Sequence, residues 1–414
     1  MIHSGKINLF FSAFASLTFT SQLIAQVAIH GETVYTMAGD PIQQGVVVVL
    51  DGKISAIGRA NEIKVPEECR LLKAKVVTPG LVDAHTSVGL SGMFNQDHDQ
   101  DQFDRSEPIQ PELRAIDAYN SQEELIGWVR SFGVTTIHTG HAPGELISGQ
   151  TMIVKTTGTT VEEAAIVEAR AVAATLSSLA RKSDSKSPGT RGKMVSMLRA
   201  ELIRAQEYTD KLLATDELAE DQEKTPPPRD LRLETLAKVL AGEMPLMITA
   251  NRTQDIASAL RLAKEFEIPI WLDGAAEAYR LTEEILAAGV PVLIHPTMAR
   301  PTSDLENLTF ETASKLIDAG VPVALQSGYE AYVPKTRVVL FEAGMAAANG
   351  LTFEQALATI TIDAARILGI QERVGSLEVG KDGDLAMYDG DPFEYTSHCT
   401  GVVINGQVVS DSKQ

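Results

Sequence analysis

The chain has 414 residues, with 36 Lys and Arg against 55 Asp and Glu, a formal net charge of −19 and 44% hydrophobic residues. This length fits two or three average domains, or one large α/β barrel with an appendage, and the apolar fraction excludes a disordered chain. The basic residues are not clustered, which argues against nucleic-acid or anionic-membrane binding, because phosphate contacts need grouped Lys and Arg. Cys69 and Cys399 are too few for a thiolate zinc site or a disulfide scaffold, although a single bridge between them stays open.

The first 25 residues are typical of a secretory signal peptide. Lys6 supplies a positive charge, residues 7–20 are apolar and uncharged, and the segment closes on the small residue Ala25. A membrane anchor is the alternative, but the apolar run is shorter than the roughly 20 residues that a spanning helix needs. We therefore predict a signal peptide over 1–25 and an exported protein, periplasmic or secreted, without membrane contact after cleavage.

Short β-type runs occur at both chain ends. Residues 26–77 contain several of them, separated by turn signals such as Asp51-Gly52, and residues 370–414 contain two more, at 385–388 and 402–409. The pattern predicts one small β-sandwich domain built from 26–77 plus 370–414.

Between these ends, short β-branched runs alternate with helical stretches. The runs are at 76–85, 134–138, 152–155, 246–250, 268–272, 290–295 and 321–326, and the clearest helices are at 257–266, 276–288 and 310–319. This alternation predicts a (β/α)8 TIM-like barrel over 78–369. Ala-, Glu- and Arg-rich patterns at about 161–243 predict a helical pair inserted over one barrel face. The fold class is therefore α/β, a barrel with a β-sandwich formed by both chain ends.

Two motifs carry a family resemblance. Residues 77–85, VTPGLVDAH, are similar to the PGLxDxHxH stretch that opens the barrel of the amidohydrolase superfamily. Residues 360–369, ITIDAARILG, and 374–385, VGSLEVGKDGDL, are similar to the closing block of the same superfamily. The imidazolonepropionase-like branch resembles the chain most. The resemblance implies a hydrolase of carbon–nitrogen bonds other than peptide bonds, such as those of cyclic amides, with a small-molecule substrate.

The resemblance also implies one or two divalent metals held by a His-x-His on the first strand, histidines on strands five and six, and an aspartate after strand eight. Residues i and i+2 of a strand point the same way, so both histidines of the first pair would enter the barrel. Here His85 is present, but Ser87 follows it. The other positions fall on 249–251, Asp273 and 327–328, where no histidine stands. The sequence therefore predicts that the usual two-metal site is not assembled.

A rebuilt site is one interpretation. Its metal ligands would be His85, His138 and His295, its cofactor one zinc, iron or manganese ion, and Asp273 the catalytic carboxylate that activates water. The other interpretation has no cofactor, with the histidines bonded to loop backbone or to a ligand.

Candidate substrate contacts stand near strand ends, where barrel enzymes place them: Asn251, Arg252, Tyr329 and His141. Lys155 also ends a strand, and some amidohydrolases carry a carboxylated lysine that bridges two metals. This branch usually does not, so a structural lysine is the favoured interpretation.

Two functions remain open. The first is an exported amidohydrolase-like enzyme that cleaves carbon–nitrogen bonds with a degenerate or rebuilt metal site. The second is an inactive homologue that binds a small molecule or stabilises a partner. A homo-oligomer, or pairing with a homologous amidohydrolase, is compatible with either.

Overall fold

The computed structural model describes residues 26–94, 96–183, 186–216, 226–331 and 336–411, and the predicted signal peptide lies outside them. The strands are β1 (Val27–Val34), β2 (Ile42–Leu50), β3 (Lys53–Arg59), β4 (Arg70–Pro79), β5 (Leu81–Thr86), β6 (Val134–Thr139), β7 (Ile147–Gln150), β8 (Met152–Lys155), β9 (Ala165–Val167), β10 (Val172–Thr175), β11 (Leu246–Ala250), β12 (Ile270–Gly274), β13 (Val292–Ile294), β14 (Val323–Leu325), β15 (Leu385–Tyr388), β16 (Cys399–Ile404) and β17 (Gln407–Ser410). The α-helices are α1 (Glu124–Arg130), α2 (Val161–Ala164), α3 (Arg191–Asp216), α4 (Leu231–Leu240), α5 (Thr253–Phe266), α6 (Thr282–Ala288), α7 (Thr312–Asp318), α8 (Val339–Ala348), α9 (Phe353–Thr359) and α10 (Ile362–Leu368).

The barrel is a ring of eight strand positions. One sheet has the order β14-β13-β12-β11-β10-β7 and the other the order β5-β6-β8-β9. The two sheets meet where the backbone N–H of Gly328 donates to the carbonyl of His85 at 3.0 Å, and again where Thr151 donates to Ala171 at 2.8 Å. The (β/α)8 TIM-like prediction is confirmed.

One strand position departs from the parallel pattern. Strands β7 and β8, separated by Thr151 alone, run antiparallel to β6 on one side and to β9 and β10 on the other. Lys155, the last residue of β8, therefore lies at the end of the barrel where the other strands begin. The parallel strands finish at the opposite end, which we call the mouth.

The barrel interior is apolar below the mouth. Inward-facing residues from successive strands, among them Met247, Trp271 and Leu293, form one buried cluster with Ala365 and Leu368 of α10. Helix α10 thus closes the bottom of the barrel. Polar side chains of the same strands lie nearer the mouth, because strand residues two apart share a face.

The chain ends form one curled seven-stranded sheet of order β17-β16-β15-β4-β1-β2-β3. Its outer strand β3 returns to the segment before β15, since Ile54 donates to the carbonyl of Lys381 at 2.9 Å. Apolar residues of both chain ends, such as Val47 and Leu385, fill its interior. The sandwich is therefore a single sheet folded over itself. Cys69 and Cys399 are both free thiols.

The region predicted as a helical insertion differs at its N-terminal part. Helices α3 and α4 pack on each other, and α3 also contacts α5. Asp230 caps α4 by accepting the backbone N–H groups of Arg232 and Leu233. However, residues 165–167 and 172–175 are strands of the barrel. These runs of three and four residues are too short to interrupt the helical sequence pattern around them.

A buried ionic cluster joins the barrel to the terminal sheet. Lys155 Nζ donates to Asp382 Oδ2 at 2.9 Å and also to Asp384. Asp382 accepts further hydrogen bonds from Lys53 at 2.6 Å and Arg373 at 3.0 Å. Burial opposes ionisation of Asp382, but the charge of Lys155 and these hydrogen bonds lower its pKa to about 2. Lys155 is thus a structural residue at the end of the barrel opposite the mouth.

Candidate functional site

A cavity of about 300 Å³ opens at the barrel mouth. Strand-end residues line its floor, including His85, Thr249, Asp273 and Gln326. A larger groove of about 950 Å³ lies outside the barrel, between α5 and α6 at the N-terminal ends of β12 and β13. Its described lining residues include neither histidine nor aspartate. The chemistry therefore points to the smaller cavity, at the end where barrel enzymes carry their active sites.

His85 and Asp273 form the central contact of the cavity floor. His85 Nδ1 lies 2.8 Å from Asp273 Oδ1, and both side chains are buried. Asp273 also accepts hydrogen bonds from Thr249 Oγ1 at 2.5 Å and Gln326 Nε2 at 2.7 Å. Burial alone would raise the pKa of Asp273, but the charge and hydrogen bond of His85 and the bonds from Thr249 and Gln326 lower it to about 2. The carboxylate is ionised at neutral pH, so Nδ1–H of His85 donates to it.

The second ring nitrogen of His85 has no hydrogen-bond partner among the described residues. Nε2 is buried and unpaired, while the histidine itself lines the cavity. With the proton on Nδ1, Nε2 carries a lone pair and can accept a hydrogen bond or a proton. A buried polar atom without a partner costs free energy, so this nitrogen is a candidate contact for a bound molecule.

Asp83 supports His85 from the same strand. Its Oδ1 accepts the backbone N–H groups of Ser327 at 2.9 Å and His85 at 3.4 Å. Burial raises the pKa of Asp83 to about 7 in spite of these hydrogen bonds. Asp83 therefore carries a proton over much of the neutral range and links the ends of β5 and β14.

The positions that the family resemblance assigns to metal ligands are bonded within the protein. Ser87, the counterpart of the second histidine, has its Oγ 2.9 Å from Ser91 Oγ. Thr249, at the end of the fifth strand, is the residue that donates to Asp273. Neutral hydroxyl groups are poor ligands beside imidazole or carboxylate.

The eighth-strand position is equally unsuited to a metal. Ser327 Oγ donates to Thr86 Oγ1 at 3.0 Å. Gly328 has a φ of +65°, and a Cβ there would lie 2.5 Å from the ring of His295, so no larger side chain fits. In the described parts of the chain, no three His, Cys, Asp or Glu side chains form a group that could hold a metal ion. The residues present do not fit the divalent metal that the family implies.

The predicted ligands His85, His138 and His295 lie near one another without forming a metal-binding group among the described residues: His85 and His295 line the same cavity, and the His138 ring lies 5.7 Å from that of His85. His138 Nδ1 donates to the carbonyl of Ala84 at 2.7 Å, and its Nε2 lies 2.6 Å from Thr151 Oγ1, so both nitrogens are engaged. Burial lowers the pKa of His138 to about 3, and the charge of His85 acts in the same direction. His138 is a neutral, fully bonded side chain.

His295 belongs to a different part of the cavity wall. Its Nδ1 donates to the carbonyl of Gln326 at 3.4 Å, and its Nε2 lies 3.7 Å from Glu330 Oε1. Burial lowers its pKa, although the carboxylates of Glu342 and Glu330 oppose that effect. His295 therefore connects the cavity floor to charged residues on the loop after β14.

Two of the four predicted substrate contacts line the cavity. Asn251 is buried and accepts the backbone N–H of Ala276, and Tyr329 is held by Gln102 Nε2 at 3.3 Å from its hydroxyl. Arg252 pairs with Glu306 and is not among the lining residues described. His141 is buried against the backbone of Gly149, also away from the lining.

Several cavity residues were not predicted as site residues. They are Thr249, Gln326, Asp304, Glu330 and Arg337. Thr249 and Gln326 share the inward face of their strands with Met247 and Ala324, so strand alternation was a usable signal. The other three lie on loops after β13 and β14. Only their position in the sequence, on loops that follow barrel strands, could have identified them, because these loops carry the active sites of barrel enzymes.

Comparison with known proteins agrees with the fold. A family model described as "Amidohydrolase family" matches residues 257–410. The amidohydrolase of Thermotoga maritima MSB8 superposes with a TM-score of 0.85 at 27% identity, covering 93% of this chain and 100% of that one.

Two curated relatives extend this match. An imidazolonepropionase of Maricaulis maris is 27% identical over 85% of this chain and 90% of its own length. Amidohydrolase tasK of Hapsidospora irregularis is 25% identical over 89% of this chain, which spans only 39% of that protein.

Together with the barrel, these matches support assignment of the chain to the amidohydrolase superfamily. Its similarity to the imidazolonepropionase supports the imidazolonepropionase-like branch.

Proposed function

We propose that this protein hydrolyses a carbon–nitrogen bond other than a peptide bond, such as that of a small cyclic amide, in the cavity at the barrel mouth. The observation that carries the proposal is the His85–Asp273 pair, with His85 Nε2 buried, unpaired and in the cavity lining. Relatives named as amidohydrolase and imidazolonepropionase support the reaction class. We infer a degenerate metal site from the substituted ligand positions.

The chemistry we propose uses the residues of this chain. His85 Nε2 takes a proton from a water molecule while the oxygen of that water bonds to the amide carbon. The ionised Asp273 holds the imidazole in the required tautomer and stabilises its positive charge. The carbon–nitrogen bond then breaks, and the proton on Nε2 passes to the departing nitrogen. Water is consumed, and ring opening of a cyclic amide leaves one product that carries both a carboxylic acid and an amine.

Hydrolysis should survive removal of metal ions. Protein treated with a chelator, its metal content checked by elemental mass spectrometry, is assayed against a panel of lactams, cyclic ureas and hydantoins. We expect turnover that is lost in Asp273→Asn and retained in the control Arg252→Ala, whose side chain lies outside the cavity lining. Turnover that requires added zinc, iron or manganese would contradict the metal-free mechanism.

The second candidate function is binding without catalysis. It is favoured by the internal hydrogen bonds at the former ligand positions, such as Ser87 with Ser91 and Thr249 with Asp273. In that case a small molecule would bind in the cavity and remain intact, or the protein would stabilise a partner such as a homologous amidohydrolase. Saturable binding of a panel member with no product formed would favour this function over hydrolysis.

We also propose that the protein is exported to the periplasm or secreted. The proposal rests on the signal-like sequence of residues 1–25. Among the described residues, no helix combines the length and the apolar character needed to cross a bilayer. N-terminal sequencing of protein recovered from an exported fraction should begin at Gln26, and deletion of residues 2–25 should retain the protein in the cytoplasm.

A further inference from the structure

Charged side chains form the part of the cavity wall above His295. Arg337 and Glu330 both line the cavity, and Arg337 Nε donates to Glu330 Oε1 at 2.7 Å. Behind this pair, Arg337 Nη1 also donates to the buried Glu342 at 3.2 Å. One guanidinium group is therefore shared by two carboxylates, so it does not present a free positive charge to a ligand.

A second part of the wall, around Asp304, repeats this arrangement. Asp304 lines the cavity and accepts the backbone N–H of Ser178 at 2.7 Å. Its nearest described cation is Arg191, whose Nη2 lies 3.7 Å from Asp304 Oδ1. The same Arg191 donates to Asp255 through Nε at 2.6 Å. Again a single guanidinium group faces two carboxylates.

The cavity wall consequently has an excess of negative charge. Among the described lining residues, the carboxylates of Asp273, Asp304 and Glu330 outnumber the guanidinium group of Arg337, an excess of two negative charges when the histidines are neutral. Charges of one sign in a low-dielectric cleft concentrate ligands of the opposite sign and repel those of the same sign. A ligand carboxylate would meet this repulsion and would also lose its hydration.

The floor of the cavity points to the same chemistry independently. When His85 is neutral and donates its Nδ1 proton to Asp273, its unpaired Nε2 accepts a hydrogen bond. The group that satisfies Nε2 must be a donor, and an N–H on a small ring suits it. Wall and floor thus both favour a ligand with N–H groups and a positive charge.

We propose that the cavity selects a small cationic ring that donates N–H groups, such as a cyclic guanidine or amidine, and rejects carboxylates. The inference rests on the proposed function for its statement about the substrate, since it names the substrate class of the same site. Glu330 and Asp304 are the specificity-determining residues, because both line the cavity and share their cations with a second carboxylate.

The test is direct binding by calorimetry with three rings of similar size. The probes are cationic 2-iminoimidazolidine, neutral 2-imidazolidinone and anionic 2-oxoimidazolidine-4-carboxylate. We expect the cationic ring to bind at least roughly tenfold more tightly than the neutral one at low salt, with the anionic ring weakest. Glu330→Gln and, separately, Asp304→Asn should each reduce this preference roughly threefold or more.

Glu265→Gln is the matched control, because Glu265 is an exposed carboxylate that pairs with Arg199 on the outer surface. It should leave the preference unchanged. Equal or tighter binding of the neutral or anionic ring, or no binding of the cationic ring, would overturn the inference. A cation preference without turnover of any cyclic amide, guanidine or amidine would contradict the proposed hydrolysis while leaving the binding inference intact. Hydrolysis without a cation preference would do the reverse.

Discussion

The two ends of the barrel each hold a buried ionic contact, and the two contacts differ in how completely they are satisfied. At the bottom, Lys155 lies between Asp382 and Asp384, and Asp384 also accepts the backbone N–H of Asn405 at 2.8 Å. At the mouth, His85 bonds Asp273 through one nitrogen and leaves the other buried and unpaired. A fully bonded cluster stabilises one arrangement of the chain. An unpaired polar atom that lines a cavity is a place for a ligand.

Among the residues of the two ionic contacts, Lys155 should make the largest contribution to the free energy of unfolding. Lys155→Met would leave Asp382 and Asp384 close together without their shared buried cation, at a cost of about 3–5 kcal/mol in the free energy of unfolding. Urea unfolding followed by circular dichroism measures this cost. Lys53→Ala is the matched control, because Lys53 bonds the same Asp382 but its side chain is 53% exposed. We expect it to cost about 1 kcal/mol or less, and equal losses in the two variants would show that burial of the contact is unimportant.

Substitution of Asp83 should change the free energy of unfolding in a pH-dependent way. Its pKa is about 7 in the folded protein and about 3.9 in an unfolded chain. The unfolded state therefore gives up its proton first, and stability falls as the pH rises from about 4 to 7. Asp83→Asn keeps an oxygen that can accept the bonds from Ser327 and His85 but cannot ionise.

The variant should resemble the wild type at pH 4 and be more stable at pH 8, by up to about 4 kcal/mol. Thermal unfolding of both proteins across this range measures the difference. A variant that is equally destabilised at both pH values would indicate that the carboxyl is needed for its hydrogen bonds alone.

The sequence predicted the barrel well wherever a strand was long and apolar. The run at 246–250 matches β11, and the run at 268–272 lies within two residues of β12. Strand β10 was not predicted, because a run of four residues is too short to show the alternation of a strand within a sequence that has a helical pattern. The reversed direction of β8 also left no local signal, since it depends on pairing with β6, β9 and the rest of the ring.

The same limit applies to the two ionic contacts, because sequence identifies candidate residues but not their distant partners. The opening motif and strand position identified His85 and Asp273 as candidates, and they lie 2.8 Å apart. The partners of Lys155 could not be identified, because Asp382 is 227 residues away in sequence. The metal set was predicted from histidine positions alone, and only hydrogen-bond geometry shows that both nitrogens of His138 are engaged.

Substitution of His85 should have the smallest effect on stability. It also tests most directly whether the unpaired nitrogen at the mouth serves a ligand and not the fold. His85→Gln removes a ring nitrogen that is already unpaired and keeps a side chain able to reach Asp273, so we expect a loss of about 1 kcal/mol or less in the free energy of unfolding. The matched control is His138→Gln, since His138 is buried at the same level with both nitrogens bonded. It should cost about 2–3 kcal/mol, because Ala84 and Thr151 lose partners that no water can replace.

The loss of catalytic activity in these two variants should follow the opposite order to their loss of stability. His85→Gln should lower kcat/KM for a cyclic amide by about two to four orders of magnitude, because the proton acceptor is gone. His138→Gln, assayed well below its unfolding temperature, should keep most of its activity. If His85→Gln were instead the more destabilising variant and left turnover unchanged, His85 would contribute to stability and not to catalysis. The ionic contact at the mouth would then be structural, like the one at the bottom of the barrel.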